Sequence, residues 1–220
     1  MPKSTSKSKK DHYSGGATKT DGIRLAAIAL AVLVVALVAW AIVSSKGSTT
    51  KTQQWTQPPP MAIDPARQYF ATFTMAKGGQ FVVQLYPDKA PVAVNSFVFL
   101  AKQGFFDGVT FHRVLEGFMA QGGDPTGTGT GGPGYQFANE DSDLTFDKGG
   151  VVAMANAGRD TNGSQFFITF APQPQLNGGY TIFGQVISGM DVVNGITRRD
   201  PSQNPTSPGD AIQSIRISEK

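Results

Sequence analysis

Two histidines, sixteen carboxylates and no cysteine are what this 220-residue chain offers for bond-making chemistry. The missing cysteines exclude disulfides, thiolate nucleophiles and Cys-based zinc sites. His12 and His112 are too few for a His-rich metal site. Ser164 and His112 are the raw material of a hydrolase. However, Asn162-Gly163-Ser164-Gln165 lacks the Gly-x-Ser-x-Gly elbow that exposes such a nucleophile. Residues 127–134 (GTGTGGPG) lack the Gly-Lys-Ser/Thr ending of a phosphate loop and read as a surface loop. Arg113 follows His112, and an arginine in a strand ordinarily serves a surface ion pair; His112 reads as a buried, hydrogen-bonding structural side chain. By type alone Phe118, Met119, Phe167 and Leu176 belong to a core.

The elements that must position these residues begin near residue 67. Runs 69–75 and 80–86 are β-rich and separated by Ala76-Lys77-Gly78-Gly79, a hairpin signal. Residues 91–102 place Val94, Phe97, Val98 and Ala101 on one helical face, with Asn95 and Lys102 elsewhere, and stop before Gly104. Short strands are expected at 109–113, 151–155, 166–170 and 182–185, and a short helix at 190–196. A closing strand at 211–218 alternates Ile212, Ser214 and Arg216 against Gln213, Ile215 and Ile217. Many short strands with glycine turns favour a mainly β barrel or sandwich.

Upstream the texture differs. Residues 1–24 hold six Lys/Arg against two Asp; that +4 exceeds the net +3 of the whole chain, leaving −1 for the remainder. The basic pI belongs to the tail, so no basic face for nucleic acid is indicated. Residues 25–43 run for 19 positions without a charged or strongly polar side chain. At about 1.5 Å per residue this nearly matches a hydrocarbon core of about 30 Å. It is longer than the apolar region of a cleavable signal peptide and lacks a good small-residue cleavage site. The expectation is a basic, disordered tail at 1–22, one transmembrane anchor helix at 23–43, a Ser/Thr/Gln/Pro-rich tether at 44–66 and a domain at 67–220. The positive-inside rule keeps the N-terminus in the cytoplasm and the domain outside it.

Three motifs narrow the reading. They are Phe111-His112-Arg113-Val114-Leu115-Glu116-Gly117-Phe118-Met119-Ala120-Gln121-Gly122-Gly123-Asp124, then Met154-Ala155-Asn156-Ala157-Gly158 with Thr161-Asn162-Gly163-Ser164-Gln165-Phe166-Phe167-Ile168-Thr169, and Leu176-Asn177-Gly178-Gly179-Tyr180-Thr181-Ile182-Phe183-Gly184. Together with Val94-Asn95-Ser96-Phe97 they resemble, in order and spacing, the cyclophilin-type peptidyl-prolyl cis–trans isomerases over roughly residues 67–218. The resemblance implies a closed eight-stranded antiparallel β-barrel capped by two α-helices, with the active surface on its outside. It implies Arg113 as the catalytic residue. Phe118, Met119, Phe167 and Leu176 would take the proline ring, and Tyr180 would stand at the pocket wall. Gln121, Ala155, Asn156 and Gln165 would line the groove for the peptide backbone.

That chemistry suits those residue types. Rotation about an X-Pro bond faces a barrier of about 18–20 kcal/mol and breaks no bond, so no cofactor or metal is expected. A guanidinium near the imide nitrogen stabilises the twisted amide selectively, because the planar ground state has no free lone pair to offer. The expected partners are proline-containing segments of exported or unfolded proteins, and the expected state is a monomer. Many eukaryotic relatives carry Trp where Gln175 stands and His where Tyr180 stands, and Tyr180 resembles a bacterial variation. Weak cyclosporin binding is therefore expected. The alternative is an anchored proline-peptide-binding scaffold with little dependence on turnover.

Overall fold

The computed structural model describes residues 53–220. The expected tail at 1–22, the anchor at 23–43 and the first part of the tether lie outside the described residues. Among the described residues no helix is long and apolar enough to cross a membrane.

Eight strands form one antiparallel sheet: β1 (Tyr69–Met75), β2 (Gln80–Leu85), β3 (Arg113–Leu115), β4 (Met119–Gly122), β5 (Val151–Met154), β6 (Phe166–Thr169), β7 (Ile182–Ser188) and β8 (Ile212–Glu219). Among the described residues two α-helices accompany it, α1 (Pro91–Lys102) and α2 (Met190–Asn194). β1 reads YFATFTM, and its alternate residues Tyr69, Ala71, Phe73 and Met75 are buried, as a strand with one face on the core requires. Pro91 occupies the first turn of α1, where its missing N–H costs nothing. The helix has no side-chain cap of its own. Instead Glu140, from a distant loop, accepts from the amides of Val92 (2.8 Å) and Ala93 (2.9 Å).

The sheet order is β3-β4-β6-β5-β7-β2-β1-β8, curled so that its inner face surrounds an aromatic core. Phe73 stacks on Phe81 at 4.4 Å, and Phe97 of α1 reaches Phe183 (5.3 Å) and Phe166 (5.8 Å). Burying each such ring contributes about 1.5–3 kcal/mol.

The expected closed barrel needs correction. β3 and β8 share no ladder, so the result is a curled sheet whose end strands meet only through short links. Thr110 bridges Ala211, and Phe111 donates to the Asp210 carbonyl at 2.9 Å. The reason is local. Val114, the centre of three-residue β3, exchanges both backbone hydrogen bonds (2.7 and 2.8 Å) with Arg199, leaving nothing for β8.

The segment 53–63, read from composition as the end of a tether, also lies against the domain. The Trp55 indole packs edge-on to Phe99 (5.2 Å) and near Phe105 (5.9 Å), and its amide donates to Pro133 (2.8 Å). Asn95 holds the other end. Its Nδ2 donates to the carbonyls of Pro59 (3.3 Å) and Pro60 (3.1 Å), while its Oδ1 accepts from Ala62 (2.9 Å). Prolines offer only carbonyls for fastening such a segment, and the buried asparagine supplies the donor.

Candidate active site

Register on the sheet brings the key side chains to one face. Arg113 on β3 lies opposite Gln121 on β4, Gln121 opposite Phe167 on β6, and Phe167 opposite Ala153 on β5. Residues directly opposite on neighbouring strands project from the same face, so these four form one row. Leu115 and Met119 form the next row on that face. Their in-between neighbours Val114, Ala120, Ile168 and Val152 point to the aromatic core instead.

The outward row is nevertheless covered. Met119 (2 % exposed) and Phe167 (5 %) belong to a second apolar cluster, separate from the core, with Phe146, Val151, Ala153 and Ile182. Phe118, Leu176, Tyr180 and Ala155 pack against it while remaining partly open. Phe146 stacks on Phe167 at 5.8 Å, and Tyr180 meets the same ring edge-on at 5.3 Å. Leu176 is delivered by a 3-10 turn, Pro174–Leu176, which is fastened by Gln173. The Gln173 amide donates to the Phe146 carbonyl (2.7 Å) and its Nε2 to the Gly117 carbonyl (2.9 Å).

Arg113 stands at the rim of this cluster. Its guanidinium carbon sits 5.7 Å from the Phe118 ring centre, and Nη1 approaches the Met119 sulfur at 3.8 Å. Among the described residues it joins no ion pair, unlike Arg67, Arg159 and Arg198, which each face a carboxylate. A partly exposed arginine laid on a phenylalanine, with no carboxylate partner among the described residues, keeps all its donors but the one on the Met119 sulfur free.

Beside the cluster runs an open groove of about 740 Å³. Gln121, Ala155, Asn156 and Gln165 line it, so the groove and the apolar cluster share a border. Gln121 Nε2 donates to Gln165 Oε1 (2.9 Å), and Gln165 Nε2 donates to the carbonyls of Gly129 (3.0 Å) and Gly131 (2.9 Å). The Ala155 amide is already bonded to the Gln165 carbonyl at 2.9 Å. All ten residues expected from the motifs therefore meet on one surface.

The family model described as "Cyclophilin type peptidyl-prolyl cis-trans isomerase/CLD" matches residues 70–217. This chain belongs to the cyclophilin family. Peptidyl-prolyl cis-trans isomerase B of Bacillus subtilis is 44% identical over 146 residues, covering 66% of this chain and 95% of that protein. Peptidyl-prolyl cis-trans isomerase A of Mycobacterium tuberculosis is 49% identical over 161 residues, covering 64% of this chain and 87% of that protein. A crystal structure of a Cryptosporidium parvum cyclophilin superposes with a TM-score of 0.64 at 36% identity, over 70% of this chain and 99% of that one. That protein has also been crystallised in the presence of the dipeptide Ala-Pro.

The hydrolase possibility fails in this cyclophilin on geometry. Ser164, 2 % exposed, donates its hydroxyl to the Gly123 carbonyl at 2.7 Å and makes no bond to His112. Gly123 is required there. Its φ is +84°, and a Cβ would stand 2.3 Å from the Ser164 carbonyl oxygen. The glycine loop after it hangs on Asp124. Burial pushes that carboxyl up, but the hydroxyl and amide of Thr126 and the amides of Gly131 and Gly129 all donate to it, leaving it below its ordinary value. The chain of bonds Asp124–loop–Gln165–Gln121 thus connects a buried charge to the groove floor.

His112 is buried as expected, at 2 % exposure, but its Nδ1 has no partner among the described residues. Burial pushes the imidazole below its ordinary value of 6.5; Asp124 pulls the other way, and Arg199 and Arg113 add to the depression. The unfolded chain then binds a proton that the folded chain refuses. Stability is full above 6.5 and falls as pH drops below it, with a limiting slope of about 1.4 kcal/mol per pH unit. Urea midpoints at pH 7 and pH 5 should show this loss in the wild type and a flatter profile in His112→Leu. Identical slopes in the two proteins would exonerate His112. The window is distinct from that of Asp124 and Asp210, whose depressed values place their loss below 3.8.

Phe146, Leu144 and Leu115 also shape the outer cluster, and sequence reasoning missed them. The available signal was Leu144 and Phe146, the two apolar side chains of an otherwise polar stretch, 139–149, with no strand or helix to claim them.

Proposed function

We propose that this chain accelerates cis–trans rotation of X-Pro bonds in polypeptides, with Arg113 donating to the imide nitrogen in the twisted state. Phe118, Met119, Phe167, Leu176 and Tyr180 hold the proline ring, and Gln121, Ala155, Asn156 and Gln165 hold the flanking backbone. The observation that carries this reading is the guanidinium of Arg113, in no ion pair among the described residues, lying at the rim of an apolar cluster that opens onto a polar groove. Donors fixed where only the transition state needs them accelerate rotation without bond-making. A protease-coupled assay with a proline tetrapeptide tests it: the chain should raise the isomerisation rate in proportion to its concentration, and a rate equal to the blank would end the proposal.

Cyclosporin should bind this protein weakly. Gln175 lies exposed in the 3-10 turn, its amide turned onto Gln173 (2.6 Å), so no indole is offered there. Titration of the isomerase activity should give inhibition far above the nanomolar range, and nanomolar inhibition would refute this. The proposal extends to location. The apolar run 25–43 behind a basic tail supports an uncleaved anchor, with the domain outside the cytoplasm acting as a monomer on exported or membrane proteins; Tyr180 supports a bacterial-like subtype. Membrane fractionation with sequencing of the mature N-terminus tests the anchor. A soluble protein beginning after residue 43 would defeat it.

A further inference from the structure

The groove beside Gln121 and Gln165 has one wall that comes from outside the curled sheet. Gln54, in the segment that precedes the domain, lines it together with Thr130, Gln136 and Asn156. Three independent features fix this wall. The Trp55 indole is lodged against Phe99 and Phe105, its amide donates to the carbonyl of Pro133, itself a lining residue of the groove, and the proline segment behind it is held by Asn95. Gly134 allows the approach. Its φ is +92°, and a Cβ there would stand 2.5 Å from the Trp55 carbonyl oxygen and 3.2 Å from the Gln54 Cβ. None of the side chains lining the groove is charged; its polar groups are amides, hydroxyls and glycine backbone.

We infer that Gln54 is a specificity-determining residue, through which the segment before the domain reads a side chain flanking the proline and favours uncharged, hydrogen-bonding ones. The inference rests on the isomerase reading and deepens it. The groove is continuous with the apolar cluster through Ala155 and is far larger than one proline ring requires, so neighbouring residues of a bound peptide must enter it. A carboxylate or ammonium entering a groove lined by no charged side chain loses hydration with little repayment there, whereas an amide or hydroxyl side chain finds both donors and acceptors. Gln54 offers one of each at the groove's outer edge.

The test uses the full chain and peptides with Lys, Glu or Gln at each of the three positions on either side of the proline. Isomerisation is followed by exchange NMR, which needs no protease with charge preferences of its own, and binding by fluorescence titration. Gln54→Glu should raise the Lys-to-Glu preference at one peptide position by about fivefold at low salt, and Gln54→Lys should shift it by a similar factor in the opposite sense. A merely structural disturbance would move both variants the same way. That outcome, or ratios that stay within about twofold of wild type at every position, overturns the inference. Failure of the isomerase reading shows differently, as wild-type protein that leaves every peptide's exchange rate unchanged. The titrated Lys-to-Glu binding ratio still decides the role of Gln54 in that case.

Discussion

Arg113→Ala should lower kcat/KM for a proline peptide by about 10²–10³-fold, the loss typical of removing one preorganised donor from a developing charge. The loss should fall on kcat more than on KM. A planar amide gives the guanidinium no lone pair to meet, so the interaction is absent from the ground state. Stability should hold within about 0.5 kcal/mol, because the side chain is half-exposed and has no ion pair among the described residues to lose. Arg113→Lys should recover only part of the activity, since an ammonium keeps the charge but not the planar fork. Circular dichroism and urea unfolding alongside the kinetics separate chemistry from folding. Equal rates for wild type and Arg113→Ala would remove the arginine from the mechanism and favour a binding module.

Phe167→Ala is the second large effect and a different one. The ring is 5 % exposed, stacked on Phe146 and met edge-on by Tyr180, so its removal opens a hole at the centre of the outer cluster. A cost of about 3 kcal/mol is expected, the low end for a buried phenylalanine because water can reach this cavity from the groove side. For a domain of this size that is a fall of roughly 6–12 °C in Tm. Activity measured well below the new midpoint should fall by at least about tenfold, because a proline ring can no longer be held against a rigid wall. Phe167→Leu should restore most of the stability and less of the activity. A folded alanine variant with wild-type kcat/KM would show that proline does not sit on this ring.

Some of this architecture was legible in the residues and some was not, for reasons that can be named. β1 has the bounds expected from alternation, 69–75, because one face is buried and the other partly open; α1 also has its expected bounds, 91–102, although residues 93–98 are buried all round, because Pro91 opens it and Gly104 follows its end. β4 was missed. Its MAQG is buried on both faces, Met119 under the outer cluster and Ala120 against the core, which erases alternation. The strand expected at 109–113 is displaced to Arg113–Leu115, since Gly108 and Phe111 spend their amides on the irregular link to Ile212 and Asp210 while Val109 turns its own back to Phe106. In β8 the expected alternation breaks after Ile212. A bulge there lets Ile212 face Met75 and Ser214 face Thr74, so Ile212 and Ile215 both point inward. The docked segment 53–63 was hidden because its partner, Asn95, lies about thirty-five residues away and reads as a helix residue off the apolar face. The site residues fared better than the loops around them. Arg113, Gln121 and Phe167 converge through strand register, whereas Phe146 and Leu144 reach the cluster from a stretch with no period at all.

The outward placement of the Arg113–Gln121–Phe167 row has a further consequence. A catalytic surface on the flank of a solid sheet imposes no threading: a polypeptide can be laid across it sideways and lifted off again, without a free end and without any gate having to open. A proline in the middle of a long loop, with both neighbours already committed to structure elsewhere, is as reachable as one near a terminus.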